Sequence, residues 1–154
     1  MYHEAAELPF SQATVLVKRA REASQKTTRL AIEDVLHHLD SRGAEADVCG
    51  VVSSSTPVSD DLSRILRSHP LIHAAEGALF RQANVSACAS SGLTVAAARE
   101  REVWSRVAAA WGLTEPGLRK EMDALRKSVG APWNADHKTA AAVALLALKS
   151  ISAS

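Results

Sequence analysis

Aromatic residues, cysteines, long apolar runs and an excess of either charge are all scarce in this 154-residue chain. Phe, Trp and Tyr together make only 4% of it, although 47% of the residues are hydrophobic. A core of alanine, leucine and valine follows, and side chains that small suit closely packed helices. The two cysteines, Cys49 and Cys88, lack the close spacing of a zinc knuckle or a redox pair, so buried thiols are expected. A net charge of +1 gives no broad field to draw nucleic acid or an anionic membrane, leaving only local patches for such partners. No segment is long and apolar enough to cross a bilayer, and Met1 to Phe10 is acidic rather than a basic stretch leading into an apolar run. A cytoplasmic protein without membrane contact is the expectation. A chain of this length builds one domain with a real core.

What is present is mostly helical periodicity. Ser11 is the expected cap of a long helical region over 11–42, with Leu16, Ala20, Ala23, Thr27, Leu30, Ala31, Val35 and Leu39 as its apolar stripe and Gly43 as its stop. Ala46 to Ser53 has the β-branched content of a short buried strand. The serine-rich loop after it, through Pro57, reads as a polar connection, because it lacks the repeated glycines and the lysine of a phosphate loop. Asp60 or Ser59 is placed to cap a short helix containing Leu62, Ile65 and Leu66, and a second helix runs from Ser68 to about Ser91, where Gly92 can turn the chain. Leu93 to Ala98 then reads as a second strand. Strand, helix and strand in that order predict a βαβ crossover, with parallel strands and the helix against the sheet. The fold class is therefore α/β: a mostly helical single domain over 1–154 with a small parallel sheet. Its α/β core covers 46–111, and a helical hairpin plus a final helix covers 114–150.

The stretch richest in chemistry is Ser68-His69-Pro70-Leu71-Ile72-His73-Ala74-Ala75-Glu76-Gly77. A helix advances about 100° per residue, so with His69 at zero, His73 falls near 40°, Glu76 near 340° and Phe80 near 20°. All four share one narrow arc. Ile72, Ala75, Leu79 and Ala83 fall at about 240–320°, which sets Glu76 beside the core-facing residues. A carboxylate there has to be paired, protonated or used. His69 and His73 resemble part of a transition-metal site. No second ligand cluster of recognisable spacing accompanies them, so the sequence by itself assigns no metal ligand.

Two resemblances bear on function. From Val48 to Leu148 the order strand, long helix, strand, helices, then an acid heading an alanine-rich helix is similar to the later half of ribonuclease-H-like domains, particularly the Holliday-junction resolvases. Asp136, in Gly130-Ala-Pro-Trp-Asn-Ala-Asp136-His137-Lys138, stands where such folds place a late acid before a helix. The resemblance implies a nucleic-acid partner and phosphodiester chemistry, with a divalent metal such as magnesium held only if the acids cluster. Glu76, Glu102 and Asp136 are its candidate catalytic residues, and His73, Arg99, Arg101, Trp133 and Lys138 are candidate binding residues around them. The acid that such folds carry on a first strand has no counterpart here. Whether the protein is an enzyme stays open.

The alternative lies in Arg106 to Lys127, which resembles a helix-turn-helix. Gly112 sits at the bend, Leu118, Met122 and Leu125 are expected inward, and Arg119, Lys120, Arg126 and Lys127 are placed to meet DNA phosphate. A third possibility is an interaction protein whose apolar helices are buried in a homodimer.

Overall fold

A computed structural model describes residues 1–54 and 58–151; Ser55, Thr56 and Pro57 of the serine-rich loop lie outside the described residues. In chain order the elements are α1 (Tyr2–Ala6), α2 (Phe10–Asp40), β1 (Val48–Ser53), α3 (Leu62–Leu66) and α4 (His69–Ser90). They continue with β2 (Thr94–Arg99), a single 3-10 turn (Glu100–Glu102), α5 (Val103–Trp111), α6 (Glu115–Ala124), α7 (Arg126–Val129) and α8 (Ala135–Ile151). The chain is thus mostly helical, with one two-stranded parallel sheet, the fold class expected from its sequence. Its described residues gather into two compact units, one of 1–46 with 58–92 and one of 47–54 with 93–151. No described helix is long and apolar enough to cross a membrane.

The first unit holds α1, α2, α3 and α4. Ile72, Ala75 and Leu79 of α4 are buried with Ala13 and Val17 of α2, Ile65 of α3, and Tyr2 and Ala5 of α1. Burying each of the larger aliphatic side chains contributes about 1.5–3 kcal/mol, enough to hold short helices that have little stability alone. Sequence pattern placed α2 correctly but misread which of its stripes faces inward. Ala13 and Val17 are buried and Leu16, Ala20, Ile32, Leu36 and Leu39 are half-buried, whereas Ala23, Thr27, Leu30, Ala31 and Val35 are exposed. Several neighbouring stripes of α2 are comparably apolar, so periodicity alone cannot choose among them; the packed neighbour does.

Two caps also differ from expectation. Pro9 stands at the start of α2, leaving Ser11 inside the helix, because proline presets the backbone angle for entry. Asp61, rather than Asp60 or Ser59, caps α3: its Oδ1 accepts from the Ser63 N–H at 2.9 Å and the Arg64 N–H at 3.3 Å. Gly92 follows α4 with φ of +81°, as the sequence suggests.

In the second unit β1 and β2 run parallel in the register Val48 to Thr94 through Ser53 to Arg99. The strands are parallel, as the strand-helix-strand order predicts. In the first unit Ile72, Ala75 and Leu79 of α4 belong to the core shared with α1, α2 and α3, and within the second unit the helix that packs on both strands is α8. The physical reason is close approach: Gly50 of β1 has no side chain, and the α8 backbone at Val143 and Ala144 lies directly against it. Ala98 of β2 joins Val103, Val107 and Ala108 of α5, Leu118 and Met122 of α6, and Ala142 and Val143 of α8 in one core. The alanine-rich final helix is therefore a core helix, as its composition suggests. Its cap is Asn134, whose Oδ1 accepts from the N–H groups of Asp136 at 3.0 Å and His137 at 3.2 Å, so Asp136 is a first-turn residue and not the cap.

Candidate metal centre

Helix α4 starts from Ser68 in extended conformation, with Pro70 in the first turn, which sets His69 and His73 one turn apart at its exposed end. The Ser68 hydroxyl makes no capping bond; its carbonyl instead accepts from the Ile72 N–H at 2.9 Å. Helix α1 is placed against this end of α4 by Tyr2 and Ala5, three residues apart and 2% and 0% exposed. That anchoring brings His3, beside Tyr2, over the two imidazoles of α4.

The three rings form a near-equilateral group. Centroids of His3 lie 4.9 Å from those of both His69 and His73, and His69 and His73 are 4.5 Å apart with their rings at 90°. The Nε2 atoms of His69 and His73 are 3.0 Å apart, a hydrogen bond in which one nitrogen donates and the other accepts. One donor atom from each of His3, His69 and His73 can be chosen so that all lie within 4.8 Å of one another. Among the described residues this is the only set of three or more such donors so arranged.

Glu76 completes the arrangement from the same arc of α4. Its Oε1 accepts a hydrogen bond of 3.1 Å from the Tyr2 N–H and lies 3.5 Å from the Met1 amino group. The carboxylate is thus paired, as its position beside the apolar arc requires, and its partner is the first turn of α1. Phe80, fourth on that arc, is 55% exposed.

The other candidates have separate surroundings in the second unit. Glu102 is bound to its neighbours, 3.3 Å from Arg99 Nη1 and 3.7 Å from Arg101 Nε. Asp136 is exposed in the first turn of α8. Trp133 donates its Nε1–H to the Met122 carbonyl at 2.7 Å, and Lys138 reaches the Asp123 carboxylate at 2.6 Å. Both are therefore engaged in joining α6 to the start of α8.

The segment resembling a helix-turn-helix is built of α5, a three-residue turn and α6. Gly112 ends α5 with φ of +66°, and the Thr114 hydroxyl caps α6 by accepting from the Gly117 N–H at 3.2 Å. Leu118 and Met122 are buried as expected, but Leu125 is 41% exposed, because α6 stops at Ala124 and the chain bends before α7. Lys120, Arg126 and Lys127 are exposed. Arg119 is exposed too, with its guanidinium carbon 4.1 Å from the centre of the Trp104 ring, a contact worth about 0.5–1 kcal/mol at such a site.

His69, His73 and Glu76 share one arc legible in the sequence, whereas no pattern in the sequence marks His3 as their partner. No local spacing links residue 3 to residues 69 and 73; the one available signal is a histidine beside the apolar pair Tyr2 and Ala5. No protein-family model, curated protein or solved structure matches the chain.

Proposed function

We propose that this protein binds a divalent transition-metal ion through His3, His69 and His73. The observation that carries the proposal is the convergence of three imidazoles from two helices, with donor atoms all within 4.8 Å of one another. Imidazole suits zinc, copper and nickel, whereas magnesium and calcium prefer oxygen donors. A tetrahedral zinc ion at about 2.0–2.1 Å from each nitrogen sets the nitrogens about 3.3 Å apart. The 3.0 Å between His69 and His73 opens by a few tenths of an ångström and donor separations of up to 4.8 Å within the set close by as much as about 1.5 Å, adjustments made by side-chain rotation of the exposed His69 and His73 together with His3. Three nitrogen donors leave the fourth position of a tetrahedral ion to a ligand from solution, the arrangement in which zinc lowers the pKa of bound water to about 7.

Glu76 is the positioning residue of this proposal. By holding the Tyr2 N–H it ties the turn that carries His3 to the helix that carries His69 and His73. Groups bonded directly to a metal ligand change affinity by about 10–100-fold when removed; Glu76 acts one residue away, through the Tyr2 backbone, and its removal should cost less than that.

Titration calorimetry of the tag-free chain with zinc and cobalt tests the reading. One ion per chain is expected, with an affinity at least about tenfold weaker in each of His3→Ala, His69→Ala and His73→Ala, and unchanged in a His37→Gln/His38→Gln control. Cobalt should show the visible absorption of a four-coordinate nitrogen site. Binding that is absent, or indifferent to His69→Ala and His73→Ala, refutes it.

A further inference from the structure

Resting on that reading, we propose that the metal ion is a latch: it holds α1, which contributes Tyr2 to the lining of a cavity in the first unit, in its seated position. The cavity measures about 620 Å³ and is lined by Tyr2 together with Val17 and Arg21 of α2, Leu62 and Ile65 of α3, and Leu79 of α4. This volume lies within the range of small-molecule sites, about 300–1,000 Å³.

Tyr2 and His3 are adjacent, so one short helix serves both places: Tyr2 is a cavity wall and His3 is a metal donor. Helix α1 has only five residues, far fewer than an isolated helix needs to persist. What seats it is the burial of Tyr2 and Ala5, the hydrogen bond from the Tyr2 N–H to Glu76, and a short connection to α2. The donors are divided between elements, His3 on α1 and His69 with His73 on α4. An ion bound by all three therefore has to surrender a ligand before α1 can lift. A bound ion favours the seated form by the ratio of its affinities for the seated and lifted forms, the ordinary linkage between a ligand and a conformational equilibrium.

The chain contains a single tyrosine, so 3-fluorotyrosine labelling gives one fluorine resonance that reports on Tyr2 alone. Amide exchange supplies the second readout, through the N–H groups of Ala5, Glu7 and Leu8, which bond to the carbonyls of Met1, Glu4 and Ala5. Adding zinc at about 100 times its dissociation constant should slow exchange at these amides by about 10- to 100-fold and sharpen the Tyr2 resonance. Neither effect should occur with magnesium or in His3→Gln. In Glu76→Ala, which lacks the hydrogen bond to Tyr2, metal-free exchange should be faster than in the native chain and zinc should restore protection.

Two failures are distinguishable. If calorimetry detects no zinc, the metal reading falls and the latch with it. If zinc binds through the three histidines and neither the Tyr2 resonance nor the α1 amides respond, the metal reading stands and the latch is wrong.

Discussion

Replacing Gly50 with alanine should damage the second unit more than any surface change of similar size. A β-carbon built on Gly50 would sit 2.6 Å from the Val143 carbonyl carbon and 2.8 Å from the Ala144 nitrogen, and closer still to the Val143 oxygen. All three atoms belong to the α8 backbone, so no rotamer change relieves the overlap. Ordinary contact begins at 3.4 Å, which requires α8 to withdraw by about 1 Å to clear the nearest of them, the Val143 oxygen. That same helix buries Ala142, Val143 and Ala147 at 0%, 2% and 1% exposure. A gap of about 0.5–1 Å forfeits a quarter to a half of each dispersion contact, so the shift cannot be confined to one position. The expected cost is about 3 kcal/mol, the upper end of the overpacking range, and about 6–12 °C in Tm for a chain of this length. Gly43→Ala is the matched control. Its φ is +70° with nothing within 4 Å, so it should lose only about 1–2 kcal/mol of left-handed backbone strain. Thermal and urea unfolding measure both. A Gly50→Ala chain melting within about 2 °C of the native one, or melting above Gly43→Ala, would refute the close-approach argument.

Trp133→Phe removes the Nε1–H bond to the Met122 carbonyl while keeping an aromatic ring, and should cost about 1 kcal/mol in urea unfolding; a change under about 0.3 kcal/mol would show that this bond adds nothing to the α6 and α8 junction. The Asp61 carboxyl is held below its ordinary range, first by the Ser63 hydroxyl bond and then by the Arg64 N–H, against an opposing desolvation effect. A group depressed in the folded state contributes stability that is present above its unfolded pKa and lost as pH falls through the folded one. The advantage of the native chain over Asp61→Asn should therefore be constant near neutrality and shrink on acidification below the ordinary aspartate range. A pH-independent difference between their urea midpoints would contradict the cap's charge dependence.

Much of the local architecture was legible because it is written by contiguous residues. Helical spacing from Phe10 to Asp40 and from His69 to Ser90, β-branched residues from Val48 to Ser53, and glycines at 43, 92 and 112 each act over a few positions. The same locality limits what spacing can decide. Leu30 and Val35 look as suited to burial as Val17, yet only contact with the neighbouring helices separates them. Ser11, Asp60 and Asp136 are plausible caps by residue type, but Pro9, Asp61 and Asn134 occupy those places because capping depends on the backbone conformation of one particular residue. Trp133 and Lys138 invited a binding role, and the tertiary structure engages them with Met122 and Asp123.

By itself, the sequence determined that His69, His73 and Glu76 share a face, since 100° per residue leaves them no alternative once that helix forms. Tertiary structure decided what the face meets. His3 arrives there because Tyr2 and Ala5 are buried in the first unit's core, and Glu76 is satisfied by the Tyr2 N–H. A contact between residues 3 and 73 carries no periodicity in the chain; it exists through the packing of α1 against α4, and that packing turns two helical histidines into a set of three.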